Sequence, residues 1–319
     1  QLNPAMLCSI LLLDGEGKHL CKGIAPSLPD FYNAALDGVE IGLGVGSCGE
    51  AAYTAERVIV QDIATHPNWA LYSELASRAG LGACWSQPIL SPSRQVLGTF
   101  AIYHRDKHAP TEADIYVIEQ SARLASIAIE RKQMEDEVRK LAFYDALTEL
   151  PNRRLLADRL KQALAASKRK GLYGALLFLD LDNFKPLNDQ HGHDYGDLLL
   201  KEVARRIRSC VREVDTVARF GGDEFVVVLS ELVADKTAST TQASMVAEKI
   251  RSALAAPYLL SIQNEGSVET SVEHHCTSSI GAVLFGKQES SASDILKWAD
   301  LAMYQAKAAG RNTVKFYDA

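Results

Sequence analysis

Residues 216–229 read Thr216-Val217-Ala218-Arg219-Phe220-Gly221-Gly222-Asp223-Glu224-Phe225-Val226-Val227-Val228-Leu229. Two β-rich runs, Thr216–Phe220 and Glu224–Leu229, flank two glycines and a carboxylate, so the stretch reads as a hairpin. Glycines allow a tight turn with positive φ and leave bare backbone that a phosphate can approach closely. On its own such a turn is common and fixes no chemistry.

Upstream, Gly174–Leu181 is a strand of continuous apolar bulk that ends in Asp180-Leu181-Asp182. Side chains alternate along a strand, so Asp180 and Asp182 share one face at its end. A carboxylate there and another on the neighbouring hairpin would clamp a hard divalent ion, which takes few carboxylates and completes its shell with substrate phosphates. Two such ions suit an in-line displacement at phosphorus. A capping or turn role for Asp182 is the plainer alternative.

The segment 183–197, read as a loop, carries Phe184, Lys185, Asn188, His193 and Asp197. Asn188 offers both a donor and an acceptor, whereas Asp197 only accepts. That pair would favour guanine over adenine. Lys185, Lys307 and Arg311 are candidate cations for a triphosphate.

Further helices are expected at Leu155–Ala165, Asp197–Cys210, Ser244–Ala255 and Ala292–Ala308, with a strand at Cys276–Phe285. Strand–helix–strand–strand–helix–strand predicts an α+β domain of ferredoxin-like type, an antiparallel-rich sheet with helices on one face.

The joint pattern is more specific than its parts. Asp180-x-Asp182-x-Phe184-Lys185-x-x-Asn188-Asp189, then Gly192-His193-x-x-Gly196-Asp197, then Gly221-Gly222-Asp223-Glu224-Phe225 resembles the GGDEF family of diguanylate cyclases. Asp145-x-Leu147-Thr148-x-Leu150-Pro151-Asn152-Arg153 resembles that family's opening motif. Ser279-Ile280-Gly281 and Ala299-Asp300…Tyr304-x-Ala306-Lys307-x-x-Gly310-Arg311-Asn312 resemble its closing segments. The likeness runs from about Phe143 to Tyr317. Glu149 departs from it, standing where the family usually has glycine, and Asp223 takes the Asp form of a position that is Asp or Glu.

The resemblance implies a palm-like, nucleotide-cyclase-like sheet and a homodimer in which each protomer presents one GTP. Each 3′-hydroxyl attacks the other nucleotide's α-phosphate, releasing pyrophosphate and forming cyclic di-GMP. By position, Asp180, the Leu181 carbonyl and Asp223 would hold Mg²⁺, two ions per GTP site, with Mn²⁺ an alternative. Glu224, or Asp223 through the metal, would assist deprotonation. Lys185 would stabilise transition-state charge. Asn188 and Asp197 would read guanine, with Phe184 and His193 beside it, while the Gly221 and Gly222 amides, Lys307 and Arg311 would hold the triphosphate. Arg212-x-x-Asp215 resembles the family's inhibitory site, where Arg212 would stack on a product guanine and Asp215 accept from its edge.

Residues 1–110 alternate short strands and loops: Met6–Leu13 closed by the turn Asp14–Gly17, then Val58–Asp62, Cys84–Leu90 and Val96–Tyr103, with a short helix at Glu74–Ala79. Gly42, Gly44, Gly46 and Gly49 punctuate what reads as a loop around Ser47 and Cys48. Ser47-Cys48-Gly49, Val58-x-Val60-x-Asp62-Ile63, Pro67-x-Trp69, Gly80-Leu81-x-Ala83-Cys84-Trp85 and Gly98-Thr99-Phe100-Ala101 resemble a GAF sensor domain over about residues 3–130, without its usual first helix. Such a domain implies a small ligand of unknown kind. Cys48, Cys84, Trp69, Trp85 and His66 are candidate redox, haem or anion contacts; packing in the core is the simpler account of them.

Between the two domains, 111–142 reads as one helix capped by Thr111 with Asp114 three residues on. Leu124, Ile127, Met134, Val138 and Leu141 fall on a and d positions, with Arg131 interrupting the series. This is either a single amphipathic helix packed on its own domain or one strand of a parallel dimeric coiled coil. The domains expected are thus 1–110, 111–142 and 143–319.

Composition sets outer bounds. The 319 residues are 47% hydrophobic and 23% charged, with a net charge of −6. These values suit globular domains, and the acidic excess argues against nucleic acid as a partner. Cys8, Cys21, Cys48, Cys84, Cys210 and Cys276 form no CxxC pair, which points to reduced thiols rather than a disulfide frame or a zinc site. No apolar run approaches about 18 residues and no signal peptide is visible, so no membrane contact and a cytoplasmic location are expected. The start at Gln1 suggests sequence trimmed upstream. The end, Val314-Lys315-Phe316-Tyr317-Asp318, resembles the junction into an EAL phosphodiesterase domain. The chain would then be a GTP- or cyclic di-GMP-sensing regulatory module of a longer protein, the alternative to a cyclase.

Overall fold

A computed structural model describes residues 6–262, 270–286 and 291–318; the outermost ends of the expected domains, 1–5 and 319, lie outside them. The chain divides into two compact units, Gln1–Asp136 and Glu137–Ala319.

The first unit runs β1 (Leu7–Leu13), β2 (His19–Ile24), α1 (Asp30–Leu36), β3 (Val39–Glu40), α2 (Gly46–Thr54), β4 (Val58–Val60), a 3-10 turn (Pro67–Trp69), α3 (Ser73–Arg78), β5 (Ala83–Leu90), β6 (Val96–His104) and α4 (Glu112–Phe143), which continues past the unit's end. Its six-stranded sheet has the order β3-β2-β1-β6-β5-β4 and is antiparallel throughout. One face packs Leu11, Tyr32, Cys48, Trp69, Cys84 and Tyr103 together. The other packs Trp85, Ile89, Phe100 and Ile102 against Ile118, Ala122 and Ala125 of α4. Neighbouring residues Cys84 and Trp85 therefore belong to opposite faces, as strand alternation requires.

The glycine-rich stretch is not the loop expected: Gly46–Thr54 is helix α2. Gly44 and Gly46 do take positive φ at its start, but Gly49 serves packing, since a Cβ there would lie 2.7 Å from the Val45 side chain. Thr111 caps α4 in the manner expected, with Thr111 N–H donating to Asp114 at 2.8 Å and Asp114 N–H returning to Thr111 Oγ1 at 3.2 Å.

The second unit runs α5 (Arg153–Lys170), β7 (Gly174–Asp182), α6 (Phe184–His191), α7 (His193–Cys210), β8 (Thr216–Gly221), β9 (Glu224–Leu229), α8 (Lys236–Ala255), β10 (Tyr258–Ile262), β11 (Thr270–His274), β12 (Thr277–Phe285), α9 (Ala292–Ala308) and β13 (Val314–Phe316). Its main sheet has the order β13-β12-β7-β9-β8, and only β12–β13 is parallel. Without the added edge strand β13 this is the ferredoxin-like order. Helices cover both faces, not one. Leu177, Leu179 and Leu181 of β7 pack with α7 and α8, while Leu176 and Phe178 pack with α5 and α9. The unbroken apolar run of β7 is the physical reason, because a strand buried on both sides has no polar face to show.

The segment 183–197 is also not a loop. Asn183, with φ of +62°, turns the chain into α6, and Gly192, with φ of +90°, separates α6 from α7. No helix among the described residues is long and apolar enough to cross a membrane.

Candidate active site

The site forms where the carboxyl end of β7 meets the β8–β9 turn. Strand register sets Asp180 opposite Glu224, and the Leu181 N–H donates to the Asp223 carbonyl at 3.3 Å. Asp180, Leu181, Asp223 and Glu224 are thereby gathered at one edge. In the turn, Gly222 takes φ of +51°, and a Cβ on either Gly221 or Gly222 would meet nothing within 4 Å. The backbone there is open to a large polyanion.

Helix α9 adds the cations. Its approach depends on Gly281 of β12, where a Cβ would lie 2.0 Å from the Ala299 carbonyl oxygen. This close crossing brings Lys307 over β7, with Nζ 2.7 Å from Asp180 Oδ2. Arg311, just past α9, has Nε 4.0 Å from Asp182 Oδ1.

The two β7 carboxylates share a face and differ in their partners. Asp182 is buried and its oxygens are fully engaged: Thr277 Oγ1 donates at 2.7 Å, Ser279 Oγ at 2.8 Å and the Asn312 N–H at 3.1 Å. It ties β7 to β12 and to the segment after α9. Among the described residues, Asp180 has only Lys307. Burial raises the Asp180 pKa, and the neighbouring Asp223 and Asp182 charges add to that rise against the pull of Lys307. Burial also raises that of Glu224, helped by Asp180, Asp300 and Asp223. Crowded carboxylates of this kind are relieved by a cation.

The donor set fits Mg²⁺ or Mn²⁺: oxygen ligands only, from Asp180, Asp223 and the Leu181 carbonyl, with room for phosphate oxygens at the open turn. No group of three or more His, Cys, Asp or Glu side chains among the described residues would hold a metal without such outside ligands.

Helix α6 follows β7 directly and carries Phe184, Lys185 and Asn188. Phe184 is half-buried against the core, and Lys185 is exposed. The Asn188 Oδ1 is buried without a partner among the described residues and sits where a Cβ of Gly196 would come within 2.0 Å. Gly196 thus makes the space for the Asn188 amide, one residue before exposed Asp197 on α7. His193 is exposed in the first turn of α7.

Sequence reasoning missed the support behind the turn. Arg219 donates from Nη1 to both oxygens of Asp145, at 3.0 and 3.1 Å, and from Nε and Nη2 to the Gly222 carbonyl, at 2.9 and 2.8 Å. Asp145 also accepts from Thr148 N–H and Oγ1, at 2.8 and 2.6 Å. The Asp145-x-x-Thr148 spacing was visible, but its partner lies 74 residues away.

Arg212 and Asp215 precede β8, at the opposite end of that strand from the glycine turn. The Asp215 edge expected to meet a guanine is occupied within the chain here. The Asp215 side chain is 2% exposed and accepts from Arg212 N–H, Nε and Nη2 at 3.0, 3.2 and 3.0 Å and from the Ser230 N–H at 3.1 Å. Arg212 is exposed and also donates to the Ser230 carbonyl at 2.8 Å. A groove beside this pair is lined by Arg159, Arg208 and Val214 among others.

In the first unit, Cys48, Ser47, Tyr32, Trp69 and Tyr103 line a cavity of about 30 Å³. Trp69 Nε1 donates to Ser47 Oγ at 3.0 Å, and the Tyr32 hydroxyl has no partner among the described residues. Cys84 and Trp85 are core residues, and His66 caps the 3-10 turn by accepting from the Asn68 N–H at 3.3 Å.

Comparison with known proteins identifies both domains. The family model described as "Diguanylate cyclase, GGDEF domain" matches residues 142–313, and the GAF domain model matches residues 1–130. Over 197 residues the chain is 40% identical to the bifunctional diguanylate cyclase/cyclic di-GMP phosphodiesterase MucR of Pseudomonas aeruginosa, covering 62% of this chain and 27% of that protein. It is 34% identical over 211 residues to diguanylate cyclase A of Treponema denticola, covering 65% of this chain and 52% of the relative. The chain therefore spans between about a quarter and a half of these relatives. Among solved structures, the coiled coil and GGDEF domain of DgcB from Caulobacter crescentus, in complex with c-di-GMP, has 29% identity and a TM-score of 0.52, covering 62% of this chain and 98% of that one. With the βαββαβ sheet, the Gly221–Gly222 turn and the family match over more than half its length, the chain belongs to the GGDEF family, and a GAF domain precedes its GGDEF domain.

Proposed function

We propose that this chain condenses two GTP molecules into cyclic di-GMP and two pyrophosphates. The observation that carries the reading is the meeting of Asp180, the Leu181 carbonyl, Asp223 and Glu224 at a bare glycine turn with Lys307 alongside. When bound, two Mg²⁺ ions supply Lewis-acid stabilisation of the phosphates and a lowered pKa for the attacking hydroxyl. Asp180, Asp223 and the Leu181 carbonyl are the residues that would hold them. The Gly221 and Gly222 amides, Lys307 and Arg311 bind the triphosphate. Lys185 offsets negative charge as it builds in the transition state. Glu224 accepts the proton from the 3′-hydroxyl. Asn188, whose Oδ1 has no partner among the described residues, and Asp197 select guanine, with Phe184 and His193 at the edges of that pocket.

Each active centre needs two copies of the chain. Support for a homodimer comes from α4: Leu124, Ile127, Met134, Val138 and Leu141, its a and d residues, are all more than half exposed. A stripe of that spacing is the seam of a coiled coil. A small ligand in the GAF domain would bias the packing of this seam and so the rate at which two GTP sites meet. Product would inhibit at Arg212, with Asp215 holding that side chain rather than touching the ligand.

The name of MucR supports a second reading, in which the chain is the GTP- or cyclic di-GMP-responsive part of a longer protein that also degrades cyclic di-GMP. One experiment separates them. Purified protein is incubated with GTP and Mg²⁺ and the product identified by mass spectrometry. Cyclic di-GMP supports the cyclase, and Asp223→Ala should abolish it with the fold intact; unchanged GTP supports the regulatory module.

A further inference from the structure

Helix α2 and strands β5 and β6 enclose two thiols that the proposed chemistry leaves unused. Cys48 is 8% exposed, Cys84 is wholly buried, and neither is in a disulfide. The backbone brings them together. Cys84 of β5 stands directly across from Tyr103 of β6, so their side chains share a face. From α2, Ser47 Oγ donates to the Cys84 carbonyl at 3.3 Å, and the next residue, Cys48, sets its Sγ 3.7 Å from the Tyr103 hydroxyl. The hydrogen bond from Cys84 lowers the Cys48 pKa most, and Tyr103 adds to this against burial, whereas burial raises the pKa of Cys84. The pair is therefore asymmetric: Cys48 is the readier thiolate and Cys84 keeps its proton.

The cavity of about 30 Å³ lies beside Cys48. That is room for about two water molecules and far short of a nucleotide. Tyr32, 1% exposed, lines it, and its hydroxyl has no partner among the described residues. The buried Ser86 and Thr99 hydroxyls, on the same face of the sheet as Cys84 and Tyr103 by strand alternation, also have none there. Buried hydroxyls without partners are costly, so the cavity suits a small polar molecule. We propose that this molecule is hydrogen peroxide, and that it oxidises Cys48 and Cys84 to a disulfide that signals to α4. The Cys48 sulfur bonds to one peroxide oxygen, the O–O bond breaks, and the departing hydroxide takes the proton that Cys48 gave up. The Cys84 sulfur then bonds to the Cys48 sulfur of the sulfenic acid. The S–O bond breaks, and the Cys84 proton leaves with that oxygen as the second water. Two thiols and one peroxide thus give one disulfide and two waters, with two electrons passing from sulfur to oxygen. The route to α4 is one residue long. Trp85, next to Cys84, belongs to the opposite face and packs with Ile118 and Ala122 of α4. The oxidation stands apart from the cyclase reading, and only its effect on turnover rests on that reading.

Peptide mapping by mass spectrometry tests this on the full chain, treated with hydrogen peroxide and digested without reductant. Two of the six thiols should be lost, as a single Cys48–Cys84 cross-link that dithiothreitol reverses. No loss, earlier loss at Cys8 or Cys21, or cross-links of mixed pairing would overturn the proposal. In Cys84→Ala the second step is blocked, so dimedone should trap a sulfenic acid at Cys48; no adduct there in the folded variant would overturn the order of the steps. The map of the unaltered chain decides the pairing even where this variant does not fold. Oxidised protein should form cyclic di-GMP at a rate changed by about fivefold or more, restored by dithiothreitol, with no such change in Cys84→Ala. An unchanged rate would overturn the signal to α4. Absence of cyclic di-GMP from both reduced and oxidised protein would refute the cyclase reading instead, and the peptide map would still decide the oxidation.

Discussion

Arg219 and Asp145 form a two-oxygen ion pair, 3.0 and 3.1 Å, whose guanidinium also clamps the carbonyl of Gly222. The turn that must receive a triphosphate is therefore held from behind by a residue that touches no substrate in the proposed chemistry. Lysine carries its donors on a single nitrogen and lacks the planar fork by which Arg219 reaches Asp145 and the Gly222 carbonyl from separate nitrogens. Arg219→Lys should leave the protein folded and lower cyclisation by about 10–100-fold, the cost of reacting groups misplaced by about an ångström. Hydrogen exchange at the amides of residues 221–224 should quicken in the same variant. Unchanged exchange with unchanged turnover would remove Arg219 from this role.

The Asp145 carboxyl gives a pH signature. Burial opposes its charge, yet the hydrogen bonds from Thr148 and the Arg219 guanidinium outweigh burial and hold its pKa below the usual carboxylate range. A carboxyl whose pKa is lowered by folding contributes stability above its unfolded pKa of about 4, and that contribution fades as pH falls through its folded value. Asp145→Asn should therefore cost more stability at pH 7 than at pH 3, measured by denaturant unfolding at both. An equal cost at the two pH values would show that the charge is not what matters.

Glu149 has φ of +56°, a left-handed conformation that disfavours any residue with a Cβ. Its side chain is exposed, while its backbone is used: its N–H donates to the Asp145 carbonyl at 2.9 Å and its carbonyl accepts from Arg208 at 3.3 Å. Glycine relieves a strain of about 1–2 kcal/mol, part of which returns as lost freedom on folding. Glu149→Gly should stabilise the protein by about 1 kcal/mol, raising Tm by a few degrees with no loss of turnover. A lower Tm would mean that the glutamate side chain makes a contact worth more than the strain.

How far the sequence could be read follows from these residues. The hairpin, the end of β7 and α9 were legible because their patterns are local: alternation, a glycine pair, a helical period. Helix α6 was hidden by polar residues and by Pro186, which is tolerated near a helix start, where its missing N–H is not needed. Helix α2 was hidden because its glycines read as turn signals, when Gly49 is small to let Val45 pack. The hairpin β10–β11 escaped notice because Tyr258 and Leu260 are buried around exposed Leu259, an alternation too short to stand out. Distinctions that depend on distant partners were out of reach. Nothing near Asp215 announces that it is buried under Arg212 and Ser230.

Asp180 and Asp182 are the sharpest case of such a distinction, and they give the last prediction. Two residues apart on one face, they look interchangeable in sequence. Asp182 is sealed by Thr277, Ser279 and the Asn312 N–H, so Asp182→Ala strands buried donors. The cost should be about 3 kcal/mol, a Tm fall of roughly 6–12 °C. Asp180 is the reverse. Folding already disfavours its charge, chiefly through burial, and its one partner among the described residues, Lys307, is about a third exposed and rehydrates readily when released. Asp180→Asn should keep or slightly raise Tm at pH 7 while abolishing cyclisation, because an amide is a poor ligand for a hard divalent ion. Thermal melts and product assays on both variants check the contrast. If Asp180→Asn proved the less stable of the two, Asp180 would be a structural anchor, and the oxygen donor set proposed for the metal would lose its principal member.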